Sequence, residues 1–112
     1  MIMFNDKDYC LILTNVSSRE EGEEIASALV EDRLVACVNI SSPVTSLYHW
    51  QGEINKDEEL MLFMKTKKNL YKKVEERIKR LHSYELPEVI AVPIESGSKE
   101  YFSWITENTL DS

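Results

Sequence analysis

The spacing of apolar residues predicts an α+β fold: one antiparallel sheet with helices layered on one face. Three observations support that class. Four strand-like runs alternate with two stretches of helical periodicity, in the order β-α-β-β-α-β, and a short helix follows. That order is the split β-α-β, or ferredoxin-like, arrangement, whose crossovers are right-handed. Only three Gly and three Pro occur in 112 residues, so little chain is left for linkers and a single domain over 1–112 is expected.

Each element has its own justification. Residues 1–8 lack an apolar core of signal-peptide length and read as a loose N-terminal extension. Tyr9–Thr14 is apolar, rich in strand formers and too short for a helix. Ser17 and Ser18, each with a Glu three residues on, form a doubled capping box. Ile25, Ala26, Leu29 and Val30 then make one helical stripe that ends near Asp32-Arg33. Leu34–Ile40 reads as a strand, interrupted at Ser41-Ser42-Pro43 and resumed from Val44 to Gln51. Gly52–Asp57 reads as a turn before a strand from Glu59 to Thr66, so residues 44–66 form a hairpin. Asn69 is the expected cap of the second helix, whose stripe is Tyr71, Val74, Ile78 and Leu81. Val89–Val92 reads as a central strand buried on both faces, ending at Pro93. Ser96-Gly97-Ser98 opens a last helix bearing Tyr101, Trp104 and Ile105.

One layer of helices leaves the other sheet face bare. Yet Leu60, Leu62 and Met64 alternate with Met61 and Phe63, so both faces are apolar. A second copy of the chain is the expected cover, because buried apolar area is worth about 25 cal/mol per Å². The net charge is −7, from 13 basic and 20 acidic residues, which opposes binding to nucleic acid. The basic stretch Lys65–Lys73 runs into Glu75 and Glu76 and reads as a solvated helix face. No apolar run is long enough to span a membrane. Cys10 and Cys37 form neither a disulfide framework nor a Cys-x-x-Cys motif, as befits reduced cytoplasmic thiols.

Three segments together resemble the CutA family. They are Leu34-Val35-Ala36-Cys37-Val38-Asn39-Ile40; Thr45–Ile54 leading through Glu59 to Lys65-Thr66; and Leu81-His82-Ser83-Tyr84-Glu85-Leu86-Pro87-Glu88-Val89-Ile90 ending in Pro93-Ile94. Tyr101, Ser103 and Trp104 also match, so the resemblance covers nearly the whole chain. It implies a ferredoxin-like homotrimer similar to PII signalling proteins. It also implies a cytoplasmic location and a role in tolerance of divalent metal ions, copper especially. Trp50, Glu59, Lys65, Tyr84 and Glu85 resemble the family's shared polar and aromatic positions, which cluster near subunit interfaces. A pocket for a small anionic ligand or protein partner there, and simple stapling of the trimer, both remain open.

Copper favours imidazole and thiolate ligands. His82 is the first metal candidate, since it leaves a helix and enters a polar loop. The alternative is an imidazole bonded to backbone near the helix end. Cys37 is the second candidate, on its match to the family's strand motif; the alternative is a small core hydrophobe. Cys10 reads as core. Some family members proposed to bind copper carry Cys where this chain has Thr14 and a His pair where it has Leu81-His82. A tight site then needs donors from several subunits, for instance on a trimer axis. There is no Gly-rich phosphate loop and no nucleophile elbow, so neither an organic cofactor nor catalysis is expected.

Overall fold

A computed structural model describes residues 8–111. The proposed loose extension falls almost wholly on residues 1–7, outside the described part. The chain runs β1 (Tyr9–Val16), α1 (Arg19–Glu31), β2 (Cys37–Ile40), β3 (Val44–Trp50), β4 (Glu53–Lys67), a 3-10 turn (Lys68–Leu70), α2 (Tyr71–Leu81), β5 (Ile90–Pro93) and α3 (Lys99–Glu107). The sheet order is β2-β4-β1-β5, with β3 paired to the other half of β4. All pairings are antiparallel. Counting β2 and β3 as one interrupted strand, this is the ferredoxin-like order expected from the sequence.

Alternation along β1 and β4 makes two faces. Ile12, Thr14 and Val16 of β1 and Leu62, Met64 and Thr66 of β4 point to one side and are fully buried. Ile25 and Leu29 of α1 and Val74 and Ile78 of α2 complete this core. Gly22 lets α1 approach closely: a Cβ there would lie 3.2 Å from Val16 and 3.3 Å from Leu62. On the other side, Tyr9 stacks on Phe102 of α3 with ring centroids 4.3 Å apart, and Ile105 joins them. So α3 covers one end of the second face. Leu11, Leu13, Met61 and Phe63 on that face are only half-buried, and Ile90 and Val92 beside them are exposed.

Several expectations are corrected. The hairpin turn is Gln51-Gly52 rather than Gly52–Asp57. Both residues have positive φ, 52° and 81°, as a two-residue type I′ turn requires. Strand β4 therefore starts at Glu53 and runs 15 residues. The strand expected over 34–40 begins only at Cys37, because Leu34 and Val35 still donate to Leu29 O at the end of α1. Asn69 does not cap α2; it sits in the 3-10 turn and donates to Asp111 O at 2.9 Å. Strand β5 is an exposed edge, not a doubly buried centre, because β1 is its one strand neighbour. Its terminal Pro93 suits an edge. On α3 the buried stripe is Phe102 and Ile105, while Tyr101 and Trp104 are exposed.

Candidate functional site

Two local features build the site. The first is the β3–β4 ribbon, whose register pairs Ser46 with Asp57, Tyr48 with Asn55 and Val44 with Glu59. Residues paired across an antiparallel ladder share a face, so Ser46, Tyr48, Trp50, Asp57 and Glu59 look the same way. The second is the segment after α2. His82 is the C-cap of that helix with extended φ/ψ, and its N–H donates to Ile78 O. The chain there turns back toward the ribbon.

His82 anchors that turn. It is 9% exposed. Nδ1 accepts from the Tyr84 N–H at 3.1 Å, which places the ring proton on Nε2, 2.5 Å from the Asn15 carbonyl oxygen. Both ring nitrogens are thus engaged with backbone. Glu21 on α1 braces the same turn: Oε2 accepts from the Ser83 N–H at 2.7 Å and lies 3.8 Å from His82 Nδ1. Burial alone pushes the Glu21 carboxyl up. The bonds from Ser83 and Ser17 outweigh it and hold the group below its usual value.

Tyr84 then reaches across to β4. Its hydroxyl donates to Glu59 Oε2 at 2.7 Å. Burial first, then the bond to Glu59 and its charge, push the phenol well above its ordinary range. Glu59 is 6% exposed, and none of the ion pairs among the described residues includes it. Tyr48 donates its hydroxyl to Asp57, and that bond leads the causes that raise the Tyr48 pKa. The ribbon and the loop enclose a cleft of about 710 Å³. Its charged walls are Asp57, Glu59, Glu85 and Glu88, with no Lys or Arg among the lining residues. Burial, then the charge of Glu59, raises the Glu88 carboxyl.

Of the positions singled out in the sequence, Trp50, Glu59, Tyr84 and Glu85 line this cleft, with Trp50 opposite Glu53, about 20 Å along β4 from Glu59. Within one chain Lys65 lies six residues from Glu59 in the other direction, about 20 Å along β4, and donates to Asn39 Oδ1 at 2.8 Å. Cys37 sits opposite Lys65, half-buried, with its thiol 3.8 Å from Asn39 Oδ1. His82 and Cys37 therefore stand at different ends of the sheet and share no site within the chain. Among the described residues no three His, Cys, Asp or Glu side chains gather in a way that could hold a metal ion. A metal at His82 would have to displace one of its backbone bonds. Cys10 is core, and burial pushes its thiol up to about 11.

Tyr48, Asp57, Glu88 and Glu21 are further residues of the site that sequence reasoning missed. The period-2 pattern Ser46-Tyr48-Trp50 against Asp57-Glu59 was a usable signal, hidden by placing the turn over 52–57. The capping box marks Glu21 as part of a helix start only; its bond to Ser83 is hidden because the two are 62 residues apart.

Comparison with known proteins agrees with this architecture. A family profile described as CutA1 divalent ion tolerance protein matches residues 10–108. The chain is 50% identical over 99 residues to the divalent-cation tolerance protein CutA of Thermus thermophilus, covering 88% of this chain and 96% of that one. It is 37% identical over 99 residues to chloroplastic CutA of Arabidopsis thaliana, covering 88% of this chain and 54% of that longer protein. Two solved structures superimpose closely. The divalent cation tolerance protein (Cut A1) of Thermus thermophilus gives a TM-score of 0.89 at 48% identity over 91% of this chain and 99% of that one. CutA1 of Oryza sativa gives 0.91 at 34% identity over 94% and 96%. Matched along nearly its whole described length in sequence and in fold, the chain belongs to the CutA1 divalent ion tolerance family.

Proposed function

We propose that this chain is a non-catalytic, homotrimeric protein of divalent-cation tolerance that works in the cytoplasm and meets cations at the cleft between the ribbon and the Tyr84 loop. The observation that carries this reading is Glu59. It is almost wholly buried in the cleft wall, and no hydrogen bond among the described residues uses its Oε1. Glu59 has a neutral tyrosine hydroxyl and no basic partner among the described residues. Three more carboxylates add to the negative potential of the cleft. Copper or a similar ion bound by one chain here is held weakly, since no three donors converge; tighter binding requires donors from neighbouring subunits. The cytoplasmic assignment rests on the thiols and on the family resemblance. Among the described residues no helix is long and apolar enough to cross a membrane. Relatives carry the names chloroplastic in Arabidopsis and periplasmic in Archaeoglobus fulgidus.

A second reading, a PII-like signalling or scaffold trimer, is favoured by the size of the same cleft. Within one chain the cleft's charge opposes an anionic ligand, so that reading requires Lys65 of a neighbouring copy to reach the cleft.

A Cu(II) titration against a competing chelator tests direct binding. Saturable binding that Glu59→Gln abolishes and His82→Ala leaves intact is the expected result. Binding lost only in His82→Ala would move the site to the imidazole. No binding above the chelator background would end the direct-copper reading.

A further inference from the structure

Between α2 and β5 the chain runs as a strap, residues 82–89, from the helix side of the sheet to the other side. Among the described residues no backbone–backbone hydrogen bond starts or ends at residues 83–88. Side chains hold the strap instead. His82 Nε2 meets the Asn15 carbonyl, and His82 Nδ1 accepts from the Tyr84 N–H at 3.1 Å. The Ser83 N–H donates to Glu21 Oε2 at 2.7 Å, and the Tyr84 hydroxyl donates to Glu59 Oε2 at 2.7 Å. At the far end the Tyr71 hydroxyl donates to the Val89 carbonyl at 3.2 Å. A segment without ladder bonds opens at low cost, so each of these side chains weighs heavily in where it lies.

Two of the bonds end on carboxylates, and such charge-assisted bonds are about twice as strong as neutral ones. The two carboxylates stand on opposite sides of the sheet. Glu21 belongs to α1, whose Gly22, Ile25 and Leu29 pack on the Val16 and Leu62 side. Glu59 alternates with Leu60 and Leu62 along β4 and so points the other way. Their donors are consecutive residues, Ser83 and Tyr84, whose Cα atoms are about 3.8 Å apart across one rigid peptide plane. A move of about 1 Å at Ser83 takes the Tyr84 hydroxyl out of bonding range unless the ring swings to follow. The ring packs against His82, centroids 4.7 Å apart, and His82 is itself tied to β1.

We propose that Glu21 is a positioning residue: from the helix side of the sheet it fixes Ser83, and through Ser83 it holds Tyr84 on Glu59 on the other side. The two carboxylates are pins of one strap, and loss of the first releases the second. Both pins are bonds within one chain, independent of what the cleft binds and of which copy covers it.

The test is hydrogen–deuterium exchange of the intact, assembled protein, read peptide by peptide. Glu21→Gln should speed exchange at residues 84–89 about tenfold or more, as loss of a charge-assisted bond does. It should also speed exchange at residues 57–61, across the sheet, about threefold, as loss of one hydrogen bond does. The change in α2 should be smaller than either. In a Tyr84→Phe background Glu21→Gln should add nothing at 57–61, because the hydroxyl that carries the effect is gone. Ser17→Ala removes only the Ser17 hydroxyl's bond to Glu21 Oε1 and should leave both segments as in wild type. Should Glu21→Gln fail to fold, Ser83→Pro removes the same bond from the donor side and carries the same expectation. His82 already has the extended backbone, φ −76° and ψ 140°, that suits a residue before proline. Unchanged exchange at 84–89 overturns the proposal. So does faster exchange there with 57–61 unchanged, since the pins would then be independent. An even rise through α1, β1 and α2 also overturns it, because Glu21 would then serve only overall stability. So does a full effect at 57–61 in the Tyr84→Phe background, which would route the coupling past the hydroxyl.

Discussion

Glu21 shows how one side chain can hold a site it does not line. Its two oxygens bond Ser17 and Ser83, joining the start of α1 to the loop after α2, and its charge faces His82 Nδ1. Its carboxyl is held below the ordinary value of about 4.3. A depressed carboxylate contributes stability that is fully present above the unfolded-state pKa. That contribution is lost as pH falls through the lower folded-state value. Glu21→Gln is therefore expected to destabilise the protein at neutral pH, and the gap to wild type should close in acid. Urea unfolding of both proteins from pH 7 down to pH 2 checks this; a gap constant with pH would show that Glu21 acts without its charge. His82 belongs to the same knot. Its position after a helix was legible in the sequence, and so was the option of backbone bonding. The commitment of both nitrogens was not legible, because Asn15 lies 67 residues away.

At the scale of elements, α1 was read nearly to the residue. Two capping boxes overlapped in the sequence, and the helix uses the second: Ser18 Oγ accepts from the Glu21 N–H at 3.1 Å. That choice puts Gly22, Ile25 and Leu29 on the buried side. Ser18→Ala is expected to cost about 1 kcal/mol of stability, within a usual range of about 0.5–2, whereas Ser17→Ala should cost much less. Thermal or urea melts of the two variants compare them directly, and equal effects would contradict the assignment. The ribbon is less legible in the sequence. Gly52, Asn55 and Asp57 are all turn-forming residues, and composition alone does not select among them. The cross-strand register places Asn55 and Asp57 inside β4, where Asp57 takes the Tyr48 hydroxyl. The turn chemistry therefore does not reveal that Asp57 shares a face with Tyr48.

At the scale of the molecule, the second face of the sheet remains partly bare. Ile90 and Val92 are 49% and 45% exposed beside the half-buried Leu11, Leu13, Met61 and Phe63. The ribbon adds Leu47 and Ile54, both exposed, on a two-stranded extension that is marginal alone. The long axis of the described chain is 53 Å against 25 and 23 Å across. Such a shape and such a face suit assembly with further copies, which also explains why β5 looks buried by composition yet is an open edge in one chain. Sedimentation is expected to give a trimer of the 13.0 kDa chain. Val92→Asp should shift it toward monomer, since a charge would then be desolvated at an apolar contact. A wild-type monomer, or a Val92→Asp trimer of unchanged strength, would contradict this.

The order of elements, the serine starts of α1 and α3, the two apolar faces of β4 and the need for a cover over the second face were determined by the sequence itself. These are local properties, written in periods of two and 3.6 residues and in capping side chains. The resemblance also marked Trp50, Glu59, Tyr84 and Glu85 as a set. Tertiary structure alone decided that within one chain Lys65 stands apart from Glu59, that Cys37 and His82 do not meet there, and that Asp57 and Glu88 join the cleft. The reason is physical. Strand register, the position of a two-residue turn and the path of the chain after α2 determine which distant charges face one another, and no local period carries that information.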